Sequence, residues 1–261
     1  MKKLNHYIKD FIFRIWYWYI SLKDKQAEVT FMNYGYDEPG LKLELSGEEE
    51  TNRYSIQLYN HMMREIKTDQ KKILEIGSGR GGGLSYLNKH YHFESALGVD
   101  LNQKAVDFCN NFYPMNGISF RQGNAQALDF ASDSYDIILN VESSHRYTDI
   151  KAFFNEVYRV LKPGGYFLIT DFRYNSEMDE LKKEIREAGL IFITEKSITT
   201  NVVRALEMDN GRRIHLVKKL VPSIIQSIAL NFAGAVGTDT YNNFKTGRYE
   251  YFSYILQKKQ E

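Results

Sequence analysis

The chain is short of the residues that staple or punctuate a fold. It has one cysteine, Cys109, and 4 prolines in 261 residues. A lone cysteine excludes an intrachain disulfide and a cysteine-based zinc site, and fits a reducing compartment. An excess of either charge is also missing. Lys and Arg number 34 against 33 Asp and Glu, a net charge of +1. Such a balance disfavours a binder of nucleic-acid backbone. No apolar run is long enough to span a bilayer. The most apolar early stretch, residues 11–22 (FIFRIWYWYISL), is broken by Arg14 and falls short of the roughly 20 residues a spanning helix needs. It lacks a small-residue cleavage site, so no secretory signal is expected. It reads as an amphipathic helix covering a pocket, with a helix lying on a membrane surface as the alternative. There is no internal repeat and no low-complexity tract beyond short charge clusters. The expectation is a cytoplasmic protein, with peripheral membrane contact left open.

What is present is aromatic. Phe, Trp and Tyr make up 14%, including 19 Tyr and 16 Phe; a packed core uses such residues, and so do pockets for apolar ligands. Residues 1–50 are aromatic and irregular, with a turn at Asp37-Glu38-Pro39-Gly40. Residues 51–68 place Ile56, Tyr59, Met63 and Ile66 at a helical period, with Thr51 or Asn52 available as cap. A regular alternation follows. Strands are expected at 72–76, 96–99, 118–122, 135–141, 166–170 and 190–194. Helices are expected at 84–91, 103–111, 150–161 and 178–188. Strands alternating with helices predict an α/β fold, a mostly parallel sheet covered on both faces. Residues 197–248 break the rhythm with two apolar segments, 216–221 and 224–235, and residues 251–257 close the chain as a last strand. The expected organisation is a lid segment over 1–68, a core over 69–196, a substrate-binding insertion over 197–248 and the final strand within 249–261. Insertions of that length in an α/β domain are usually functional.

The first strand ends in Leu74-Glu75-Ile76-Gly77-Ser78-Gly79-Arg80-Gly81-Gly82-Gly83. Gly77, Gly79 and Gly82 satisfy G-x-G-x-x-G, in which glycines let the backbone turn sharply and approach a cofactor. A tight turn without a ligand would not need so many. Glu75 just before them would repel a pyrophosphate, and suits a cofactor carrying an amino group and a sulfonium. Asp100 ends the second strand, where an acid can take both ribose hydroxyls; capping the next helix is its structural alternative. Gly123-Asn124-Ala125 follows the third strand, and Asn124 can accept from an adenine amine.

Of the six histidines, His6, His61, His90, His92 and His215 fall on helices, helix ends or tails and read as surface residues. His145 sits just beyond the carboxyl end of the fourth strand, in Asn140-Val141-Glu142-Ser143-Ser144-His145. Asp171 ends the fifth strand at the same edge. Ligand chemistry in open α/β sheets occurs there, and a carboxylate can fix the imidazole tautomer. The pair reads as a general base and its support.

The acid-x-Gly-x-Gly turn, the acid ending strand two and the Pro163-Gly164-Gly165 turn before strand five together resemble the class I S-adenosylmethionine-dependent methyltransferases. The match narrows with Phe31-Met32-Asn33-Tyr34-Gly35-Tyr36, Asn52-Arg53, Gly81-Gly82-Gly83-Leu84-Ser85-Tyr86-Leu87, Asp100-Leu101-Asn102, Leu139-Asn140-Val141-Glu142 and Gly234-Ala235-Val236-Gly237-Thr238. These segments resemble the phthiotriol/phenolphthiotriol dimycocerosates methyltransferase family and the related fatty acid O-methyltransferases. The resemblance implies a Rossmann-like fold with a seven-stranded sheet, and S-adenosyl-L-methionine held by Glu75, Gly77, Ser78, Gly79, Asp100, Leu101, Asn124, Ala125 and Asn140. Asn124 stands where the family often has an acid, and the insertion matches only in patches.

The implied acceptor is an apolar small molecule bearing a hydroxyl, such as a lipid or polyketide. Carboxyl methylation of a fatty acid is the alternative. A non-catalytic cofactor-binding subunit and an NAD oxidoreductase fit the glycines and acids less well. Tyr34 and Tyr36 are expected to line the site near the sulfonium, under a mobile cover formed by residues 1–40, with Glu142 at the acceptor end. No metal is expected, because His145 already offers a base.

Overall fold

The computed structural model of the chain describes Asp24, residues 27–113 and residues 116–260. The stretch 11–22, with Trp16, Tyr17, Trp18 and Tyr19, lies outside the described residues, as does His6.

The centre is a seven-stranded sheet in the order β3-β2-β1-β4-β5-β7-β6. Its strands are β1 (Lys71–Ile76), β2 (Phe93–Asp100), β3 (Ile118–Gln122), β4 (Tyr135–Val141), β5 (Leu161–Tyr174), β6 (Leu190–Ser197) and β7 (Tyr249–Lys258). Strands β1 to β5 pair in parallel, and β7 lies antiparallel between β5 and β6. This is the Rossmann-like, mostly parallel seven-stranded sheet that the sequence leads one to expect. The order reverses beside β1, so β1 and β4 diverge to their neighbours there and leave a crevice at their carboxyl ends.

Both faces of the sheet are covered, which is why its strands read as continuous apolar runs rather than as alternations. Alternate residues of one strand feed different cores: Ile73 joins one apolar cluster, and Leu74 and Ile76 the other. The first face carries α2 (Arg53–Met63), α3 (Gly82–His90) and α4 (Gln103–Phe112), after a single-turn α1 (Gly47–Glu50). The second carries α5 (Ile150–Val160) and α6 (Met178–Glu187). In α5, Phe153, Phe154, Val157 and Val160 fall at helical spacing and are all fully buried. Each such side chain contributes about 1.5–3 kcal/mol over remaining exposed.

Residues 199–245 hold four further helices: α7 (Thr199–Met208), α8 (Asn210–Leu220), α9 (Gln226–Phe232) and α10 (Asp239–Lys245). The apolar segments 216–221 and 224–235 fall largely on α8 and α9. No helix among the described residues is long and apolar enough to cross a membrane.

Several boundaries differ from the sequence expectation. The helix expected over 51–68 ends at Met63, and Asn52 occupies its N-cap without a side-chain bond. Strand β5 begins at Leu161, before Pro163-Gly164-Gly165 rather than after it. The register of β4 on β5 jumps between Tyr135 and Ile137. The proline and glycines therefore form an irregularity inside the strand, with Gly164 at φ 75°, rather than a separating turn.

Candidate active site

A cavity of about 940 Å³ opens at the carboxyl edge of the sheet, lined by residues that follow β1, β2, β3 and β4, by Phe172 of β5, and by α8 and α9. A volume of this size lies at the upper end for small-molecule sites.

The floor at β1 is main chain. Gly77 has φ 76° and Gly79 φ 54°, a left-handed region open to glycine at no steric cost. A Cβ on Gly77 would also lie 2.3 Å from Ser143 Oγ. The turn is tied to β2, because the Gly77 and Ser78 N–H groups both donate to the Val99 carbonyl, at 2.7 and 3.0 Å.

Asp100 closes this end. Its Oδ2 accepts from the Gly79 N–H at 2.9 Å and its Oδ1 from the Asn102 N–H at 2.8 Å. The helix-capping alternative fails, since Asn102 caps α4 through the Lys104 N–H. Burial pushes the Asp100 carboxyl above its ordinary range, against the pull of those two N–H groups.

Leu101, 60% exposed, stands at the rim, and Asn124 and Ala125 line the same end. Asn124 Oδ1 accepts from the Gln126 N–H at 3.0 Å, a local turn that leaves a second lone pair.

Two expected cofactor residues lie behind this wall. Glu75 is fully buried; its Oε1 accepts from the Tyr59 hydroxyl at 2.7 Å and its Oε2 has no hydrogen-bond partner among the described residues. Burial, reinforced by the charge of Asp100, pushes its carboxyl up to about 8. Asn140 is also fully buried and donates to the Ile76 carbonyl and to Ser143 Oγ, at 2.8 and 2.7 Å. It braces the turn from below.

At the other end, His145 lies on a 3-10 turn, Ser144–Arg146, directly after β4. Its Nδ1 meets Asp171 Oδ1 at 2.7 Å, and its N–H donates to Asp171 Oδ2 at 2.9 Å. Ser144 Oγ and the Phe172 N–H also donate to this carboxylate, at 2.6 and 2.8 Å, and Arg173 Nη1 stands 3.3 Å away. Burial alone would raise Asp171. The charges of His145 and Arg173 and the bonds from His145 and Ser144 override it and hold the carboxyl well below the usual range. An ionised carboxylate on Nδ1 fixes the proton there and leaves Nε2 as the acceptor. His145 keeps 18% of its side chain exposed, and it lines the cavity. Burial pulls its pKa below the ordinary value, against the opposing pull of Asp171. A neutral imidazole with an open Nε2 can take a proton.

Glu142 lines the cavity beside it, at φ 47°, a conformation uncommon outside glycine. Its Oε1 accepts from the Tyr34 N–H at 2.6 Å and from the Tyr251 hydroxyl at 2.5 Å. Burial pushes this carboxyl up to about 8, with Tyr251 opposing. Tyr34 lines the cavity as expected and packs on Phe172 and Phe244.

Tyr36 does not. Its ring stacks on His61 at 4.3 Å and its hydroxyl donates to Glu38 at 3.0 Å, outside the cavity lining. Gly35, at φ 83°, turns the chain between the two tyrosines and sends them to different places. His61 is correspondingly no surface residue. It is 8% exposed, and burial drives its pKa down to about 4.

Sequence reasoning missed the residues that tie the segment around Asp24 and Tyr34 to the rest of the chain. Arg213, 7% exposed, donates to the Tyr34 carbonyl at 3.0 Å and the Ala233 carbonyl at 2.9 Å, and pairs with Asp209 at 3.1 Å. Arg80, in the glycine turn, pairs with buried Asp24 at 3.0 Å and lies over Phe108. Asp24 in turn accepts from the N–H groups of Glu28 and Val29. The chain from Val29 to Asn33 is thereby drawn along the cavity. Arg80 occupies a variable position of the glycine motif and Arg213 lies in no motif, so neither is marked in the sequence as buried.

Residues 74–169 match the methyltransferase domain family model. The class is therefore that of enzymes transferring a methyl group from S-adenosyl-L-methionine. Two relatives narrow it. The chain is 36% identical over 246 residues to the fatty-acid O-methyltransferase of Mycolicibacterium smegmatis, covering 94% of this chain and 89% of that protein. It is 32% identical over 248 residues to the phthiotriol/phenolphthiotriol dimycocerosates methyltransferase of Mycobacterium tuberculosis, covering 95% and 92%. The chain belongs to this family of S-adenosyl-L-methionine-dependent methyltransferases. The fold is shared more widely. Geranyl diphosphate C-methyltransferase from Streptomyces coelicolor, solved with S-adenosyl-L-homocysteine, superposes with a TM-score of 0.66 at 16% identity, covering 90% of this chain and 94% of that one.

The β1–β2 end fits the cofactor. S-Adenosyl-L-methionine carries two positive charges beside a flat adenine. Glu75 and Asp100 are carboxyls with raised pKa values, Glu75 Oε2 and Ser78 Oγ are buried without partners among the described residues, and Leu101 offers an exposed apolar face.

Proposed function

We propose that the protein methylates a hydroxyl oxygen of a lipid, polyketide or similar apolar small molecule, with His145 as the general base. The observation that carries this reading is the His145–Asp171 contact at 2.7 Å at the wall of the cavity. The methyl donor supplies an electrophilic methyl on a sulfonium. A neutral alcohol is a poor nucleophile, so removing its proton as the new C–O bond forms accelerates the transfer. His145 Nε2 takes that proton. Asp171 holds Nδ1–H and stabilises the imidazolium that results.

In this reading Gly77, Ser78 and Gly79 carry the methionine part of the cofactor, with Glu75 behind them matching its positive charge. Asp100 accepts from the ribose hydroxyls, Leu101, Asn124 and Ala125 frame the adenine, and Asn140 supports the floor. Tyr34 and Glu142 face the acceptor. The segment ending at Asn33 and the helices α8 and α9 act as a cover that excludes water and orients the acceptor. The apolar lining contributed by Phe31, Leu216, Val217, Leu220 and Phe232 suits a hydrocarbon chain.

A second reading is carboxyl methylation of a fatty acid. It is favoured by the first relative's name and by Glu142, whose raised carboxyl can donate to an acceptor carboxylate when protonated. A carboxylate is already ionised at neutral pH and needs no base. The deciding experiment offers hydroxylated lipids and fatty acids to the wild type and to His145→Ala, and follows the methyl mass gain. Methylation of an alcohol that collapses in the variant supports the first reading. A fatty acid methylated equally by both proteins overturns it in favour of the second.

A further inference from the structure

The turn joining α8 to α9 is exposed and apolar on its outer side. Ile224 is 88% exposed, Ile228 48% and Ile225 36%. Soluble surfaces carry scattered apolar residues, but three exposed isoleucines within five positions, two on the turn and one in the first turn of α9, form a patch that calls for a partner. Pro222 caps a 3-10 segment, Ser223–Ile225, none of whose residues is buried. The hairpin has its own small core of Val217, Val221 and Ala229, separate from the two sheet cores. The inner side of the same hairpin lines the acceptor cavity.

Charge selects the partner. Between Asp209 and Asp239 the sequence has no carboxylate side chain, while Arg212, Arg213, Lys218 and Lys219 fall in that interval. Both arginines pair with Asp209, and Lys219 reaches Glu28 at 2.5 Å. Lys218 is exposed on the outer side. A tip that presents exposed isoleucines beside exposed Lys218, on a stretch that carries no acid of its own, suits the headgroup-to-acyl boundary of an anionic bilayer. A second copy of the chain fits less well, because a two-fold contact through this tip would bring like charges together.

We propose that the α8–α9 tip docks on an anionic lipid bilayer, with Ile224 and Ile228 inserted, so that an apolar acceptor passes from the membrane into the cavity along the inner side of the same hairpin. The proposal rests on the apolar-acceptor reading above. The docking itself is measured without turnover.

The test is sedimentation of the full chain with vesicles of phosphatidylcholine, with and without phosphatidylglycerol. The wild type is expected to bind the mixed vesicles. Ile224→Glu combined with Ile228→Glu should weaken that binding about tenfold or more. Both positions are exposed, so circular dichroism should be unchanged. Lys218→Glu should weaken binding a few-fold, and only on the anionic vesicles. Wild-type failure to bind, or undiminished binding by the double variant, overturns the proposal. A concentration-dependent dimer that the double variant abolishes, with no vesicle binding, overturns it in favour of a second copy. Calorimetry with S-adenosyl-L-homocysteine on the same samples reports separately on the methyltransferase site, so the two readings fail independently.

Discussion

The β1–β2 end of the cavity is shaped mostly by main chain, and the β4–β5 end mostly by side chains. At the first, Gly77 and Gly79 turn the backbone, and the Gly77 and Ser78 N–H groups bond to Val99 of the adjacent strand β2, so the shape is fixed by main-chain contacts. At the second, Glu142 with His145, Tyr34, Phe172 and Arg213 come from four separate segments of the chain. A site made of main chain suits a ligand that does not vary. A site made of converging side chains can be altered one residue at a time, as changes of acceptor require.

Substitutions at the two ends should separate along this line. The largest effect is expected for His145→Ala, which should slow transfer to an alcohol by about 100-fold or more while leaving S-adenosyl-L-homocysteine affinity unchanged. Single-turnover kinetics and calorimetry on the same variant check both halves. An equal loss in cofactor affinity would erase the distinction between the ends.

Asp100→Ala is the converse. Removing a charge-assisted acceptor should weaken cofactor binding by about 10- to 100-fold, with the fold retained. Calorimetry returning wild-type affinity would remove Asp100 from the cofactor end.

A smaller effect is expected from pH. His145 is pulled below its ordinary pKa, so the neutral base persists to more acid pH than free imidazole, near 6.5, would allow. The pH profile of kcat/KM should be flat through neutrality and fall on the acid side below about 6.5. A limb centred above that value would contradict the buried dyad.

The smallest effect concerns stability. The Glu142 carboxyl is raised to about 8. Its stabilising contribution is complete below the unfolded value, about 4.3, and is lost as pH rises through 8. Glu142→Gln keeps an acceptor for Tyr34 and Tyr251 but cannot ionise. The ligand-free variant should lose less Tm than the wild type between pH 5 and pH 8, by a few degrees. Glu75 behaves in the same sense and keeps some slope in the variant. Identical Tm-against-pH curves for the two proteins would mean that Glu142 is ionised throughout.

The same contrast explains what could be read before the structure. The alternation of apolar strands and helices, the glycine turn, Asp100 and the His145–Asp171 pair are all local patterns, each written within a few residues of a strand end. The Tyr34–Tyr36 pair shows where that reading stops. Both were placed at the site on aromatic character, and only the backbone turn at Gly35 separates the cavity-lining ring from the one stacked on His61. Arg213 and Arg80 were invisible for a related reason. Their partners, the carbonyls of Tyr34 and Ala233 and the carboxylate of Asp24, are remote in sequence. A buried arginine advertises its burial only through contacts. Pro163-Gly164-Gly165 misled in the opposite direction, since a strong turn signal was absorbed as a bulge within one strand.

Gly83 carries a consequence for anyone altering this protein. It lies inside α3, where replacing glycine by alanine ordinarily stabilises a helix by about 1 kcal/mol. Here an added Cβ would fall 1.8 Å from Tyr59 Cζ and 2.3 Å from its hydroxyl oxygen. The ring would have to leave, and with it the 2.7 Å hydrogen bond that its hydroxyl donates to buried Glu75. A routine helix-stabilising replacement therefore reverses sign at this position. Libraries built for thermostability should show residue 83 held at glycine, while the exposed face of the same helix drifts freely.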